Sequence, residues 1–455
     1  MKIEKPNKLI IPVLFVGVLM GALDISIVGP AIPSIQTTID IDPSSIGWIF
    51  SIYILFNLVG ISLFAKLSDS FGRRNIYVLA LSIFTLGSLV VSLSDNYTVL
   101  LIGRSIQGIG ASGIFPVASA VVGDLYPPEK RGRILGMIGA VFGVAFLIGP
   151  ILAGTILAYF SWNTLFLINI PIGIALMYFS LKVLPNNPDK NQQKLDWSGI
   201  ISLGLFLGAF TWAISQVDGN DIVNSLLSWR LWPFLLLAVI AFIGLLVSEP
   251  RAQNPVVNTS LFLNRQIRLV AIISFVVGLV QASFVFIPDF AVGQFAVDSS
   301  KASFMLIPLV FATAIGSPIF GRLIDKFGSK PLILIGLGLT AIGFFFLQLS
   351  AHGKTYFYAG GVFIGLGLSI LAGSSLRYIM LNEAGPKDRA VTQGMLTIFI
   401  SLGQLIGAAI IGVIVASNAD SEGYLTVFLY QAILVVIIII PAFRLKSKKQ
   451  EANRI

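Results

Sequence analysis

Runs of about twenty apolar residues, each closed by a short polar break, follow one another along almost the whole chain. Twelve of them fall into two sets of six, at roughly 9–32, 45–65, 75–94, 97–121, 133–158 and 163–184, then at roughly 268–288, 303–321, 331–350, 355–376, 390–416 and 424–443. Two more, at about 198–216 and 231–248, lie between the sets. A helix rises about 1.5 Å per residue, so a run of this length just crosses a hydrocarbon core of about 30 Å. The pattern predicts fourteen membrane-spanning helices, six plus two plus six.

The breaks repeat along with the spans. "AKLSDSFGRR" (65–74) returns as "GRLIDKFGSK" (321–330), and "EKRGRILG" (129–136) returns as "KDRAVTQG" (387–394). Gly136, Gly149 and Gly154 then fall in register with Gly394, Gly407 and Gly412. Convergent packing of small residues does not reproduce a charged loop and three glycines in register, so the chain reads as a parallel internal repeat. The expected fold is an all-α polytopic membrane protein: two six-helix bundles related by a parallel repeat, plus two inserted central helices. Residues 1–184 form the first bundle, 185–267 the linkers with the two extra helices, 268–443 the second bundle and 444–455 a basic cytoplasmic tail.

Composition confirms the solvent. Of 455 residues 56% are hydrophobic and only 11% charged, with a mean hydropathy of +0.91, which excludes a soluble globular fold. The net charge of +9 raises the question of nucleic acid, but position answers it. Most Lys and Arg, including Lys2, Arg73, Arg74, Arg131, Lys190, Arg265, Lys330, Arg389 and Lys448, fall on the N-terminal side of the expected topology, against Arg230, Lys301 and Lys354 opposite. That asymmetry predicts cytoplasmic N- and C-termini in a cell membrane, with the lipid bilayer rather than nucleic acid as partner. The opening "MKIEKPNKLIIPVLF" continues into an apolar run too long for a signal peptide and reads as the first span. There are no cysteines, and the single His352 lies in a polar turn, so no metal site is expected. No phosphate loop or aspartate-rich metal motif appears, so neither an enzyme nor a cofactor is expected.

Against this background two charges inside spans stand out. Asp24, in "LMGALDISIVGPAIP" (19–33), lies about 22 Å up its helix at 1.5 Å per residue. Arg104, in the descending "LIGRSIQGIGAS" (101–112), lies about 20 Å up a core of about 30 Å. Intramembrane charges face a cavity or each other, and these two sit at matching depth. Snorkelling of Arg104 to the outer headgroups is the alternative. A carboxylate that meets two solvents in turn picks up a proton on one side and releases it on the other. Asp24 is therefore read as the proton-coupling acid, with substrate-cation contact as a second role; the plainer reading is a polar residue satisfied by Arg104. In "RGRILGMIGAVFGVAFLIGPILAG" (131–154), Gly132, Gly136, Gly139 and Gly143 share one helix face without side chains, and Pro150 after Gly149 favours a kink. Asp69 ends an inward-running helix at its negative pole and needs a better partner, Gly72 permits a tight turn, and Arg73 and Arg74 hold the loop inside.

On these stretches the chain resembles the major facilitator superfamily, and within it the fourteen-helix drug:proton antiporters of the EmrB and QacA type, over essentially its whole length. "AKLSDSFGRR" resembles the loop between helices 2 and 3, "LIGRSIQGIGAS" the helix 4 motif, and the glycine stretch with Gly139, Gly143, Gly149, Pro150 and Gly154 the antiporter motif of helix 5, absent from most symporters. "LDISIVGPAIP" resembles the helix 1 motif, "WNTLFLINIPIG" (162–173) the start of helix 6, and "KLDWSG" (194–199) the lead into the extra central helices. Ala65, Ser70 and Ala153 depart from the family pattern. The resemblance implies an antiporter that exchanges protons for small lipophilic or cationic compounds by alternating access. It implies further that Asp69 meets the start of helix 11, near "GPKDRAV", when the cytoplasmic side closes, and by the repeat that Asp325 meets the start of helix 5. A proton-coupled metabolite or lipid carrier of the same fold, and a non-transporting receptor or scaffold, are the rival readings. Asn57, Gln107, Asn169, Gln281 and Gln404 are expected to line a cavity or to bridge helices. Asp289, just past "FIP", reads as a second proton site or a wetted interfacial acid, and Phe50, Tyr53 and Phe56 as faces for a lipophilic cation or as packing.

Overall fold

A computed structural model of the chain describes residues 7–39, 41, 45–126, 128–185, 196–217, 221–249, 259–383, 389–418, 421–448 and 450. For some residues inside helices, Asp69, Asp325, Gly139 and Gly143 among them, the side-chain environment lies outside the description. The same holds for all of "EKRGR" and "GPKDRAV", so the expected partners of Asp69 and Asp325 lie outside the description.

The described chain is helical from end to end. In order, the helices are α1 (Ile10–Ile39), α2 (Gly47–Phe71), α3 (Arg73–Ser92), α4 (Tyr97–Leu125), α5 (Pro128–Leu157), α6 (Asn163–Leu167), α7 (Asn169–Val183), α8 (Trp197–Ser215), α9 (Ile222–Leu227) and α10 (Trp232–Ser248). There follow α11 (Arg265–Ala282), α12 (Ile287–Phe295), α13 (Ser299–Met305), α14 (Ile307–Phe327), α15 (Ser329–Gln348), α16 (Lys354–Leu368), α17 (Leu376–Glu383), α18 (Arg389–Ala416) and α19 (Glu422–Ala442). A π-helical stretch, Ser369–Ser375, joins α16 to α17. Local chemistry sets several boundaries: Asn96 caps α4 by accepting from the Val99 amide at 3.0 Å, and Asp298 caps α13 through Lys301 at 2.8 Å. One residue, Gly72 with φ 92°, separates α2 from α3, and Gly328 with φ 83° separates α14 from α15. A side chain at either position would be strained in that region.

The count of fourteen spans needs correction. Among the described residues eleven helices are long and apolar enough to cross a bilayer; the described apolar parts of α2 and α5, Gly47–Ile61 and Ile148–Leu157, are shorter, as is the whole of α10, Trp232–Ser248. This corresponds to about twelve core helices and not to two six-helix bundles with an inserted pair. For α10 the cause is length. A hydropathy pattern counts every apolar run as a span, whereas α10 has 17 residues, about 26 Å at 1.5 Å per residue, less than a core of about 30 Å.

The chain divides into two compact units: Met1–Ile41, Trp48–Gly208 and Leu237–Val256 in the first, Asp42–Gly47, Ala209–Leu236 and Val257–Ile455 in the second. Inside the first unit α3 and α4 approach backbone to backbone. A methyl group on Gly87 would stand 2.5 Å from the Gln107 amide nitrogen, and one on Gly103 2.8 Å from that of Val91. Inside the second, α15 and α16 show the same contacts: a methyl group on Gly343 would stand 2.7 Å from the Ile364 nitrogen and one on Gly360 2.9 Å from that of Leu347. The repeat in the sequence is thus a repeat of interhelical contacts. Lipid tails are as apolar as leucine, so helices in a bilayer gain from closer van der Waals approach, and glycine allows it. In the second unit the segment after α19 is also pinned: Gln266 accepts from the Lys446 amide at 3.0 Å and donates to the Arg444 carbonyl at 3.4 Å, while Lys446 pairs with Glu383.

This close packing yields a first prediction. A Cβ at Gly110 would lie 2.6 Å from Phe84 Cα and 2.8 Å from the Ala80 carbonyl oxygen, backbone atoms that cannot swing aside. Gly110→Val is expected to destabilise by at least the 1–3 kcal/mol, roughly, that overpacking costs. Gly338→Ala, whose added carbon meets nothing within 4 Å, is expected to be neutral. Thermal unfolding of the two variants in detergent checks both, and equal melting temperatures would show that α3 and α4 have room to part.

Candidate functional site

Five helices of the first unit deliver one polar cluster. α4 supplies Arg104 and Gln107, three residues apart and so on one face. α1 supplies Asp24, α3 Ser88, α7 its first residue Asn169, and α2 the Ile49 carbonyl and the Tyr53 ring. Arg104 Nη1 donates to Asp24 Oδ2 at 2.6 Å and to Gln107 Oε1 at 2.8 Å, and Nε donates to the Ile49 carbonyl at 3.1 Å. The other carboxylate oxygen, Asp24 Oδ1, accepts from Gln107 Nε2 at 2.9 Å and from Asn169 Nδ2 at 3.2 Å. Both amides also reach Ser88 Oγ, at 2.7 and 3.3 Å. The Tyr53 ring centre lies 4.3 Å from the guanidinium carbon and that of Phe166 5.8 Å. Asp24, Arg104, Gln107 and Ser88 are fully buried and Asn169 nearly so.

The energetics explain the crowd. A carboxylate alone at this depth costs several kcal/mol, and a buried ion pair offsets its desolvation only where the remaining lone pairs and protons find partners. Here both Asp24 oxygens are supplied with donors. Arg104 is less well served: among the described residues its Nη2 has no acceptor.

The structure therefore brings together Asp24, Arg104, Gln107 and Asn169. Gln107 and Asn169 bridge helices through the carboxylate, and the cation that Tyr53 faces is Arg104. Elsewhere, Gln404 donates to Gln281 at 2.8 Å across α18 and α11. Asp289, in the first turn of α12, accepts from the Tyr424 hydroxyl, and burial pushes its carboxyl above the usual carboxylate range against that hydrogen bond. Asn57 is half-buried on α2. Gly149 lets α5 lie on α1, since a Cβ there would stand 2.7 Å from that of Ser26, whose hydroxyl bonds the Ala145 carbonyl at 3.1 Å. Pro150 and Gly154 are buried beyond it. Arg73 binds Asp124 at 2.8 Å and Ser68 at 2.6 Å, tying three helices at one end of the unit, with Arg74 half-buried next in the chain. Sequence reasoning missed Ser88 and Asp124. The one available signal for Ser88 was a hydroxyl directly after a glycine in an apolar span.

A chain that is all-helical among the described residues, with a charge pair held in its apolar interior, is marked as a multi-pass membrane protein, and the comparisons place it among transporters. The family model for the Major Facilitator Superfamily matches residues 14–262 and 270–454, and the chain belongs to that superfamily. The uncharacterized transporter YfiU of this type from Bacillus subtilis is 30% identical over 92% of this chain and 82% of its own length. The multidrug transporter protein MdtP of the same organism is 30% identical over 94% of this chain and 79% of its own. The crystal structure of the nucleoside transporter NupG superposes with a TM-score of 0.67 at 16% identity, covering 96% of this chain and 99% of NupG, which speaks to the fold alone.

Proposed function

We propose that the protein is a proton-coupled exporter of small lipophilic or cationic compounds, of the drug:proton antiporter kind, working by alternating access in the cell membrane with both termini cytoplasmic. The observation that carries the proposal is the Asp24–Arg104 pair, a carboxylate kept at full burial inside a transporter where a hydrophobic pair would cost less. The similarity to a multidrug transporter supports the substrate class. Asp24 takes a proton from the outer solvent and yields it to the inner one, and each inward charge is driven by about 2.3 kcal/mol per 100 mV. A substrate cation that competes for the same carboxylate makes the exchange obligatory. In this reading Asp69, Gly72, Arg73, Arg74 and Asp325 belong to the cytoplasmic gate, and the α5 stretch Gly139, Gly143, Gly149, Pro150 and Gly154 to the moving helix packing.

The test is transport by the purified protein in liposomes under an imposed pH gradient, with ethidium and tetraphenylphosphonium as probes. Uphill movement of at least one probe against the proton gradient, collapsed by a protonophore, is expected. Movement of the probes that ignores the gradient would remove proton coupling from the proposal.

A further inference from the structure

We infer that the side-chain amide of Gln107 is a positioning element that amplifies, beside their direct contact, the effect of Asp24 protonation on Arg104. The inference rests on the reading of Asp24 as the coupling acid and adds a step by which its proton is felt.

The orientation of this amide is fixed by the charges on either side of it. A guanidinium only donates, so the Gln107 atom 2.8 Å from Arg104 Nη1 is the oxygen. An ionised carboxylate only accepts, so the atom 2.9 Å from Asp24 Oδ1 is the nitrogen. Ser88 Oγ spends its two lone pairs on Gln107 and Asn169 and so favours the same orientation. Nothing in this arrangement provides a place for a proton. Oδ2, at 2.6 Å from the guanidinium, is the less favourable oxygen to protonate, so the proton arrives at Oδ1. There its O–H bond meets two amide donors, Gln107 Nε2 and Asn169 Nδ2.

A half-turn of the Gln107 amide relieves the conflict. Its Oε1 then accepts from the Asp24 hydroxyl, and its Nε2 comes to face Arg104 Nη1. Arg104 thereby loses two partners in one event: the carboxylate charge, because it is neutralised, and the amide oxygen, because it has turned away. What remains to it is the uncharged Asp24 Oδ2, the Ile49 carbonyl and the rings of Tyr53 and Phe166. Loss of the proton to the opposite solvent reverses each step. No other charge competes in the described surroundings of Asp24. α4 presents Arg104, α2 presents the Tyr53 phenol, α3 and α7 present only Ser88 and Asn169, and α5 meets α1 there through the Ala145 carbonyl.

The experiment uses the full chain in lipid nanodiscs and reads the two ends of the relay separately. Infrared difference spectra across pH follow the protonated carboxyl of Asp24, identified as the band missing in Asp24→Asn. Nitrogen-15 NMR of arginine-labelled protein follows the Arg104 guanidinium, identified as the signal missing in Arg104→Lys. In the wild type both are expected to titrate with one midpoint. In Gln107→Met, of similar length and without the amide, the Asp24 band is expected still to titrate and the Arg104 signal to follow it through their direct contact, but with a smaller shift than in the wild type because the amide's share of the change is lost. An Arg104 shift in Gln107→Met as large as in the wild type overturns the inference. If that variant does not fold, Ser88→Ala decides: it frees the amide to turn, so the shared midpoint is expected to move to higher pH, and an unmoved midpoint overturns the inference as well. A wild type in which no band depends on Asp24 would instead overturn the reading of Asp24 as the coupling acid, a distinct outcome.

Discussion

Asp24→Asn is expected to abolish uphill export while leaving the protein folded and able to equilibrate substrate downhill. The asparagine oxygen can still accept from Arg104 Nη1, so the geometry of the pair largely survives, but it takes up no proton between pH 5 and 9. Coupling requires a group that exchanges charge with two solvents, and among the residues that touch Arg104 only Asp24 carries a carboxyl. The loss in pH-driven accumulation should reach the background of empty liposomes. Counterflow of labelled against unlabelled probe, which needs no proton, should persist. Measuring both in one preparation separates the two possibilities. A variant dead in counterflow as well has lost its fold or its substrate contact, and a variant that still accumulates probe uphill shows that the coupling acid lies elsewhere, with Asp289 the next residue to replace.

How far this site was legible in the sequence follows from what a linear pattern carries. Asp24 and Arg104 could be paired on paper because a charge in hydrocarbon must find a partner and because helix rise converts residue number into depth. Depth says nothing of rotation about the helix axis. Gln107 and Asn169 therefore stood as cavity lining or, the commoner use, as bridges, and only the structure shows both amides on Asp24 Oδ1. The partner of Tyr53 and the role of Ser88 were hidden for a related reason: an aromatic ring and a hydroxyl are common packing residues in spans, and their use depends on which helix lies opposite. The repeat was legible because it is a property of the sequence itself, and the glycine contacts of α3 with α4 recur in α15 with α16. The span count was not, because an apolar run does not announce where a helix becomes too short to cross, as α10 does.

The ion pair itself carries the second large effect. Replacing Arg104 alone, as Arg104→Gln, leaves a fully buried carboxylate with amide donors only, and breaking a buried pair from one side costs about 3–5 kcal/mol. The variant is expected to melt far below the wild type in detergent, or to fail to accumulate. Replacing both partners, as Asp24→Asn with Arg104→Gln, removes the isolated charge and leaves a neutral hydrogen-bonded cluster of amides with Ser88. Such neutral replacements of buried pairs range from neutral to stabilising, so the double variant should recover most of the lost stability while remaining unable to couple transport to protons. The sign of the interaction is thus the decisive quantity: the double variant must be more stable than Arg104→Gln alone. If it is equally unstable, the cost arises from lost packing of the guanidinium against Tyr53 and Phe166 and not from the abandoned carboxylate, and the two charges are neighbours without being partners.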